Sequence, residues 1–214
     1  MKLNNTKQIR DSVAHICKKY GDTYWRALDK EKKYPSEFVK EMTDSGFLNV
    51  LIPEEFGGSG LGLIDACAVL EEISLNGAHA GACHAQMYVM GSVLRHGTKE
   101  QKEKFLPKIS TGKLRLQSFA VTEPNSGTDT TNIKTFAKKT NSGWKVNGQK
   151  VWISRVEHSD LMLLLARTTP INKVKKKTDG MSVFLINIHD LKNKGLTVSP
   201  IQSMINHHSC ELFF

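Results

Sequence analysis

The chain has 214 residues, of which 39% are hydrophobic, 24% are charged and 16 are glycine. This length corresponds to one large or two small domains, and the apolar content is that of a globular protein, which excludes a disordered chain. The formal charge of +9 favours anionic partners such as nucleic acids, acidic lipids or phosphorylated small molecules, although its densest part, Lys173 to Lys177, is typical of a solvated lysine loop.

Helical periodicity dominates the first half of the chain, where apolar residues recur at three- and four-residue steps and stop or cap residues separate the stripes. At the last stripe, Thr98 and Gln101 form a capping-box pattern. The predicted helices cover Ile9–Tyr20, a segment that starts at Pro35, Leu63–Asn76, Ala78–His96, and a segment that follows Thr98. We therefore predict an all-helical domain over residues 1–114.

From Arg115 onwards the period changes, and short β-rich clusters alternate with turn residues. Asn147-Gly148 predicts a hairpin with a type I′ turn, and Asn141-Ser142-Gly143 predicts a second hairpin. The predicted strands cover Phe119–Thr122, Ile133–Ala137, Trp144–Val146, Val151–Ile153, Leu161–Ala166 and Met181–Ile188. We predict an α+β multidomain fold whose second part, residues 115–214, is an antiparallel β-domain. The apolar end, Leu212-Phe213-Phe214, predicts that this domain is incomplete at its C-terminus.

The chain carries no pattern of a membrane, secreted or metal-binding protein. The longest apolar run, Leu161 to Ala166, is far shorter than the roughly 18 residues that span a bilayer, and the first residues lack a signal-peptide core. The four cysteines are far apart, which favours buried thiols over disulfides or zinc ligands. We expect a cytoplasmic protein with no transmembrane segment and no metal site.

Two segments of the β half are suited to binding a cofactor. Residues 119–129 lead from a strand into a loop of Gly, Ser and Thr, whose N–H groups and hydroxyls can hold a pyrophosphate. Residues 147–154 place Trp152 and Ser154 two positions apart and so on one strand face, where an indole can stack on a flat ring. Taken alone, the loop is typical of an ordinary turn, and the spacing alone favours a core position for Trp152 over a cofactor contact.

Together, in this order and spacing, these segments resemble the acyl-CoA dehydrogenase family. The resemblance covers essentially the whole chain. The further matching segments are Ile52-Pro53-Glu54-Glu55-Phe56-Gly57-Gly58-Ser59-Gly60-Leu61-Gly62, Gly97-Thr98-Lys99-Glu100-Gln101-Lys102, Phe105-Leu106-Pro107, Leu163-Leu164-Leu165-Ala166-Arg167-Thr168 and Cys210-Glu211-Leu212-Phe213-Phe214. It implies an N-terminal helical domain and most of a middle β-domain that binds FAD and acyl-CoA, without the C-terminal helical domain.

The resemblance implies FAD as the cofactor. The implied cofactor-binding residues are Phe119, Val121, Thr122, Gly127, Thr128, Trp152, Ile153 and Ser154. Phe119, Val121 and Thr122 correspond to residues that touch the isoalloxazine ring. Trp152 and Ser154 match residues that cover this ring and form a hydrogen bond near its N5 atom. Thr128 falls where a Ser usually contacts the pyrophosphate and the acyl-CoA, so Thr128 is also the implied substrate-binding residue.

The chain departs from the family pattern at Asn125-Ser126, where Gly-Ala is common, at Thr128, and at Arg155-Val156, where Asn-Gly is usual. Thr128 keeps the hydroxyl, whereas Arg155 is expected to alter the flavin edge or a partner surface. Glu123 resembles a catalytic base, but the resemblance implies a structural role for it and a base from the C-terminal region. We therefore assign no catalytic residue within these 214 residues.

The resemblance implies a FAD-dependent oxidoreductase of fatty acid metabolism that acts on the CH–CH group of acyl-CoA thioesters and passes a hydride to flavin N5. Its implied partners are acyl-CoA and an electron-accepting flavoprotein or other acceptor, and full-length relatives imply a homodimer or homotetramer. Two alternatives stay open: a non-catalytic truncated remnant, and a flavin oxidase or monooxygenase of the same fold. We expect no nucleic-acid partner, because no aromatic–basic recognition motif accompanies the charge.

Overall fold

A computed structural model describes residues 2–192, 194–204 and 208–214, and the chain forms two compact units that meet in sequence at Leu116 and Gln117. The helices of the first unit are α1 (Lys2–Cys17), α2 (Asp22–Glu31), α3 (Ser36–Asp44), α4 (Leu63–Leu75), α5 (Gly81–His96) and α6 (Lys99–Ser110). The second unit contains β1 (Leu116–Ala120), β2 (Phe136–Thr140), β3 (Gly143–Asn147), β4 (Gln149–Ser154), β5 (Leu161–Arg167), β6 (Met181–Asn187), α7 (Ile188–Leu191), β7 (Thr197–Ile201) and β8 (Ser209–Phe213).

The helical unit is built around the apolar stripes that the sequence predicts. Val13 of α1, Met42 of α3 and Val69 of α4 are fully buried in one core. At the start of α6, the Thr98 hydroxyl accepts a hydrogen bond from the Gln101 N–H over 3.3 Å, and the Gln101 side chain accepts one from the Thr98 N–H over 2.9 Å. The predicted helices and the capping box are thus confirmed, with differences in bounds: α1 ends at Cys17 and not at Tyr20, and α5 begins at Gly81 and not at Ala78.

Helix α2 is absent from the sequence prediction because it has no buried residue and so no clear apolar stripe. Aromatic packing holds it instead. The ring of Tyr24 lies edge-on to that of Tyr20, and the ring of Trp25 lies edge-on to that of Phe38, with centroid distances of 4.9 and 5.1 Å. The indole N–H of Trp25 also donates a hydrogen bond to the carbonyl oxygen of Tyr20 over 2.8 Å.

The β unit consists of two sheets that share a core. One sheet has the order β1-β5-β2-β3, with β6 also paired to β5, and the other has the order β4-β8-β7. Antiparallel pairing joins β2 to β3, β5 to β6, and β8 to both β4 and β7, whereas β2 and β5 are parallel where they meet. Residues of both sheets, among them Ala137, Met162 and Leu212, are fully buried in the shared core.

The predicted hairpin at Asn147-Gly148 is wrong, because β3 and β4 lie in different sheets. The main-chain N–H and carbonyl of Gly148 pair with Phe214, the residue after β8. Gly148 has φ +156°, and a Cβ placed there would lie 2.4 Å from the Thr135 hydroxyl oxygen. This glycine therefore serves a close backbone approach where the chain changes sheets. The second predicted hairpin is confirmed, since Thr140 pairs with Gly143.

Two features at the end of the chain have simple physical explanations. Strand β7 contains Pro200 and forms the outer strand of its sheet, a position where proline is tolerated but that a sequence pattern does not reveal. Strand β8 is the central strand of its sheet, paired with β4 on one side and β7 on the other. Its apolar character fits this position, since Leu212 is fully buried. Among the described residues, no helix has the length and hydrophobicity needed to cross a membrane.

We predict that Gly148→Ala lowers the free energy of unfolding of the β unit by about 1–3 kcal/mol, because the new methyl group meets Thr135 in a backbone region that favours glycine. Gly127→Ala is the matched control, since a Cβ there has no atom within 4 Å. Urea denaturation followed by circular dichroism measures both. Equal stability of the two variants contradicts the role assigned to Gly148.

Candidate functional site

The two segments that the sequence singles out lie side by side in the β unit. Strand β1 ends at Ala120, and the chain continues through Thr122 into a loop. The main-chain N–H of Val151 in β4 donates a hydrogen bond to the carbonyl oxygen of Thr122 over 2.9 Å. This bond places Trp152, the next residue of β4, beside the segment that follows β1.

A β-bulge in β4 determines the environment of Trp152. The pairing register with β8 shifts between Lys150 and Ile153, so that Val151 and Trp152 together oppose Glu211. Trp152 has φ +62°, which a bulky residue rarely adopts. It is 60% exposed, whereas Lys150 and Ile153 are buried. The bulge therefore keeps the indole at the surface, and the interpretation of Trp152 as a core residue is wrong.

The other candidate residues lie at different depths. Phe119, Val121, Thr122 and Ser154 are half-buried, and Gly127 and Thr128 are exposed. Ile153 is 2% exposed in the core, so that only its main chain is accessible to a ligand. Within the ranges that the structure describes, the side chains of Thr122, Thr128 and Trp152 have no hydrogen-bond partner. Their polar groups are thus available to a bound molecule.

This set of side chains fits the flavin that the resemblance implies. The exposed indole of Trp152 offers a face on which a flat ring can stack. The neighbouring Thr122 hydroxyl can donate to or accept from the polar edge of such a ring. Thr128 adds a hydroxyl on the exposed loop after β1. A phosphate group of the cofactor bound at this loop would remain accessible to water.

Glu123 is held in a buried ion pair. Its Oε1 lies 2.9 Å from the Lys150 Nζ, and the Lys150 and Glu123 side chains are 0% and 2% exposed. The main-chain N–H groups of Thr135 and Lys134 donate to its two carboxylate oxygens over 2.9 and 2.6 Å. Burial acts to raise the pKa of Glu123, but the hydrogen bonds from Thr135, Lys134 and Lys150 outweigh it and hold this pKa below its ordinary value. With both oxygens engaged, Glu123 is unsuited to take a proton from a substrate.

Lys150 connects three parts of the site, and sequence reasoning missed it. Its ammonium donates to the carbonyl oxygen of Val121 over 2.8 Å as well as to Glu123. Regular alternation along β4 would put Lys150 on the same face as Trp152 and away from Ile153. The bulge reverses this assignment, because it places Lys150 and Ile153 on the core side together.

Short-range hydrogen bonds give the loop after β1 its shape. Two main-chain hydrogen bonds of 3.0 Å join Glu123 and Ser126 in a tight turn. The Ser126 hydroxyl donates to the carbonyl oxygen of Asp129, and the Asp129 carboxylate accepts from Thr131 and Asn132. These bonds, the one from Thr131 first, lower the pKa of Asp129. The exposed residues between Ser126 and Asp129 are therefore held on a defined loop.

Arg167 is a second buried cation that sequence reasoning missed. It is 3% exposed. Its guanidinium donates hydrogen bonds to the main-chain carbonyls of Thr131, Lys177 and Asp179. These hydrogen bonds connect the loop that contains Lys173 to Lys177 with the segment that follows the loop after β1. An arginine at the end of an apolar strand is usually a solvated residue, so its sequence position gave no signal.

Arg155, the least familiar departure from the family pattern, is buried rather than exposed. It is 1% exposed, adopts a left-handed φ of +63°, and its N–H donates to the His208 carbonyl oxygen over 2.8 Å. Burial, His208 and Arg155 together lower the pKa of His158 to about 4. In the described ranges, no group of three potential metal-ligating side chains is placed to hold an ion.

Comparison with known proteins gives matches along the chain. Residues 4–113 match the model of the acyl-CoA dehydrogenase N-terminal domain, and residues 118–214 match that of the acyl-CoA dehydrogenase middle domain. Acyl-CoA dehydrogenase FadE12 of Mycobacterium tuberculosis is 35% identical over 75% of this chain and 41% of its own length. Mitochondrial isovaleryl-CoA dehydrogenase of Solanum tuberosum is 30% identical over 97% of this chain and 50% of its own length.

A solved structure gives a similar picture. Acyl-CoA dehydrogenase from Geobacillus kaustophilus superposes with a TM-score of 0.87 at 28% identity, over 98% of this chain and 55% of that one. The chain thus spans about half the length of the relatives that it matches. Both units of the fold have counterparts in these relatives.

We predict that Lys150→Met lowers the free energy of unfolding of the β unit by about 3–5 kcal/mol, because Glu123 then remains buried without its counter-ion. The double variant Glu123→Gln/Lys150→Met removes both charges and is expected to lose less. Urea denaturation of the two variants measures the difference. A double variant that is less stable than Lys150→Met contradicts this account of the pair.

The same pair predicts a pH dependence. Because the folded-state pKa of Glu123 is lowered, its contribution to stability is complete above its ordinary pKa, about 4.3 for a glutamate, and is lost as the pH falls through the folded-state pKa. We expect the stability of the β unit to fall below about pH 5, and to fall less steeply in Glu123→Gln/Lys150→Met. Identical slopes in the two proteins would assign the acid sensitivity to other groups.

Proposed function

The chain belongs to the acyl-CoA dehydrogenase family, and on this premise we propose that it is the flavin-binding part of a FAD-dependent oxidoreductase acting on the CH–CH group of acyl-CoA thioesters. In this proposal residues 1–114 form the N-terminal helical domain, and residues 115–214 form the domain that binds FAD and acyl-CoA. Family membership supports an oxidoreductase and a flavoprotein fold. The chain spans about half the length of these relatives, and we therefore propose, and do not infer from similarity alone, the activity of the whole protein.

One observation carries the proposal for FAD. The hydrogen bond between Val151 and Thr122 and the bulge at Trp152 bring an exposed indole beside the segment that carries the half-buried Thr122. An indole held outside the core at a strained φ is difficult to explain by packing alone. A flat cofactor that stacks on the indole accounts for both its exposure and its backbone conformation.

In the proposed complex, Trp152 covers the ring, and Thr122 and Ser154 form hydrogen bonds to its edge. Phe119 and Val121 line the approach from β1, and Ile153 contributes its main chain because its side chain is in the core. The loop hydroxyl of Thr128, with Gly127 beside it, contacts the pyrophosphate and the acyl-CoA. When bound, FAD supplies the hydride-accepting chemistry, and these residues orient it and limit its contact with water.

We place the general base outside these 214 residues. Glu123, the carboxylate beside the proposed flavin face, is buried and hydrogen-bonded through both oxygens. The remaining partners follow from the family: an electron-accepting flavoprotein or other acceptor, and further copies of the protein in a homodimer or homotetramer. The proposed process is fatty acid metabolism, and the proposed location is the cytoplasm.

Two alternatives predict different behaviour. A flavin oxidase or monooxygenase of the same fold consumes oxygen when its bound flavin is reduced, whereas a dehydrogenase passes electrons to another protein. A non-catalytic remnant binds no FAD. Oxygen uptake by the reduced protein and FAD titration therefore separate the three functions.

We predict that Trp152→Leu weakens FAD binding by about 2- to 13-fold, because an aromatic stacking contact is worth about 0.5–1.5 kcal/mol beyond its buried area. Trp144→Leu is the matched control, since Trp144 is another half-exposed tryptophan on a strand of the same unit. Quenching of flavin fluorescence during titration with protein measures both affinities. Equal affinities of the two variants would remove Trp152 from the cofactor site.

We also predict that this chain, supplied with FAD, does not oxidise acyl-CoA. Proton removal by a positioned base commonly contributes about 10²–10⁴-fold to such reactions, and the proposal places that base elsewhere. The measurement is an anaerobic titration with acyl-CoAs of several chain lengths, followed through the flavin absorbance. Stoichiometric bleaching would show that the base lies within the chain, and Glu123→Gln would be the first variant to make.

A further inference from the structure

The tip of the β2–β3 hairpin, residues 138–145, is the most exposed part of the β1-β5-β2-β3 sheet. Every residue of this hairpin tip is exposed. It carries Lys138, Lys139 and Lys145 and no acidic residue, and β3 is the outer strand of its sheet. The hairpin tip is therefore a compact basic surface, separate in sequence from the residues proposed to bind FAD.

The lysines of the hairpin tip are arranged in an unfavourable way for the isolated protein. Lys138 lies directly opposite Lys145 across the two strands, and like charges in this position destabilise a hairpin. In the described residues none of the three lysines forms an ion pair. In the helical unit, by contrast, Lys7 and Lys40 pair with aspartates one helical turn away. The uncompensated charge favours an anionic partner.

Protection of an exposed sheet edge explains only part of this surface. Lysines on outer strands prevent unwanted strand pairing, which accounts for Lys145 on β3. The recorded pairing of β2 with β5 is at Phe136, so Lys138 also lies in the two-stranded part of the hairpin. The outer strand also carries Trp144, which is 47% exposed. A large exposed aromatic residue favours association, the opposite of what edge protection requires.

Trp144 is presented in a fixed position beside the lysines. It pairs with Lys139 next to the hairpin turn. Its ring contacts Phe184 of β6 edge-on, with a centroid distance of 5.3 Å. An indole has an apolar body and a polar N–H, and such groups favour the headgroup region of a lipid bilayer. Lys139 lies on the same face of the hairpin as the indole, and Lys138 and Lys145 lie on the opposite face. All three lysines are attracted to anionic headgroups.

We propose that the hairpin tip docks this protein on the surface of an anionic lipid bilayer, with Trp144 at the headgroup level and Lys138, Lys139 and Lys145 near the lipid phosphates and carboxylates. A single-stranded nucleic acid is a poorer match, because its binding surfaces usually present a series of aromatic residues along a basic groove. The hairpin tip presents one tryptophan on a narrow ribbon. This inference does not depend on FAD binding or on any catalytic activity.

The test is co-sedimentation of the 214-residue chain with vesicles of phosphatidylcholine alone and of phosphatidylcholine with phosphatidylserine. We expect binding to the anionic vesicles only. Lys138→Gln/Lys145→Gln should reduce the partition coefficient about 30-fold, from about 1 kcal/mol per lysine. Lys173→Gln/Lys175→Gln is the matched control, because it removes the same charge from exposed lysines outside the hairpin. Thermal unfolding of each variant verifies that it is folded.

The contribution of Trp144 has its own control. Trp144→Ala should also weaken binding to the anionic vesicles, whereas Trp152→Ala should leave it unchanged. Equal losses in the two lysine pairs would overturn the proposal, since they would show a response to net charge alone. Binding of a single-stranded RNA oligonucleotide that exceeds vesicle binding and depends on Lys138 and Lys145 would overturn it in favour of a nucleic-acid surface. Absence of vesicle binding by the folded chain would overturn it as well.

Discussion

The buried ion pair between Glu123 and Lys150 is the interaction on which the geometry of the β unit's proposed cofactor face depends. It joins the segment after β1 to β4, and its hydrogen bonds reach Val121, Lys134 and Thr135. Two buried charges are costly to remove from water, and they are tolerated only when their hydrogen-bonding capacity is well satisfied. Here one pair fixes the relative positions of three chain segments.

The consequences of this pair extend to the surface. With Lys150 anchored on the core side and Ile153 buried three residues later, β4 accommodates an extra residue, and the bulge leaves Trp152 exposed. The bond from Val151 to Thr122 then brings Trp152 beside the segment that carries the Thr122 hydroxyl. A buried electrostatic contact thus helps to determine which side chains the proposed cofactor face presents.

Sequence reasoning identified both units, the helices with clear apolar stripes and the two segments that meet at the proposed site. It misassigned Gly148, because an Asn-Gly pair favours a hairpin locally, while the approach of Thr135 that requires glycine there is a tertiary contact. It missed Lys150 for a related reason, since strand alternation fails at a bulge. Helix α2 has no buried residue and β7 contains a proline, so neither showed the periodicity on which prediction relies.

Hydrogen exchange measured by mass spectrometry, with and without FAD, tests most directly whether the face organised by Glu123 and Lys150 receives the cofactor. The account predicts that FAD slows exchange in residues 121–128 and 151–154 and leaves the hairpin residues 138–145 unchanged. Slower exchange that is confined to other segments, or no change at saturating FAD, would contradict it.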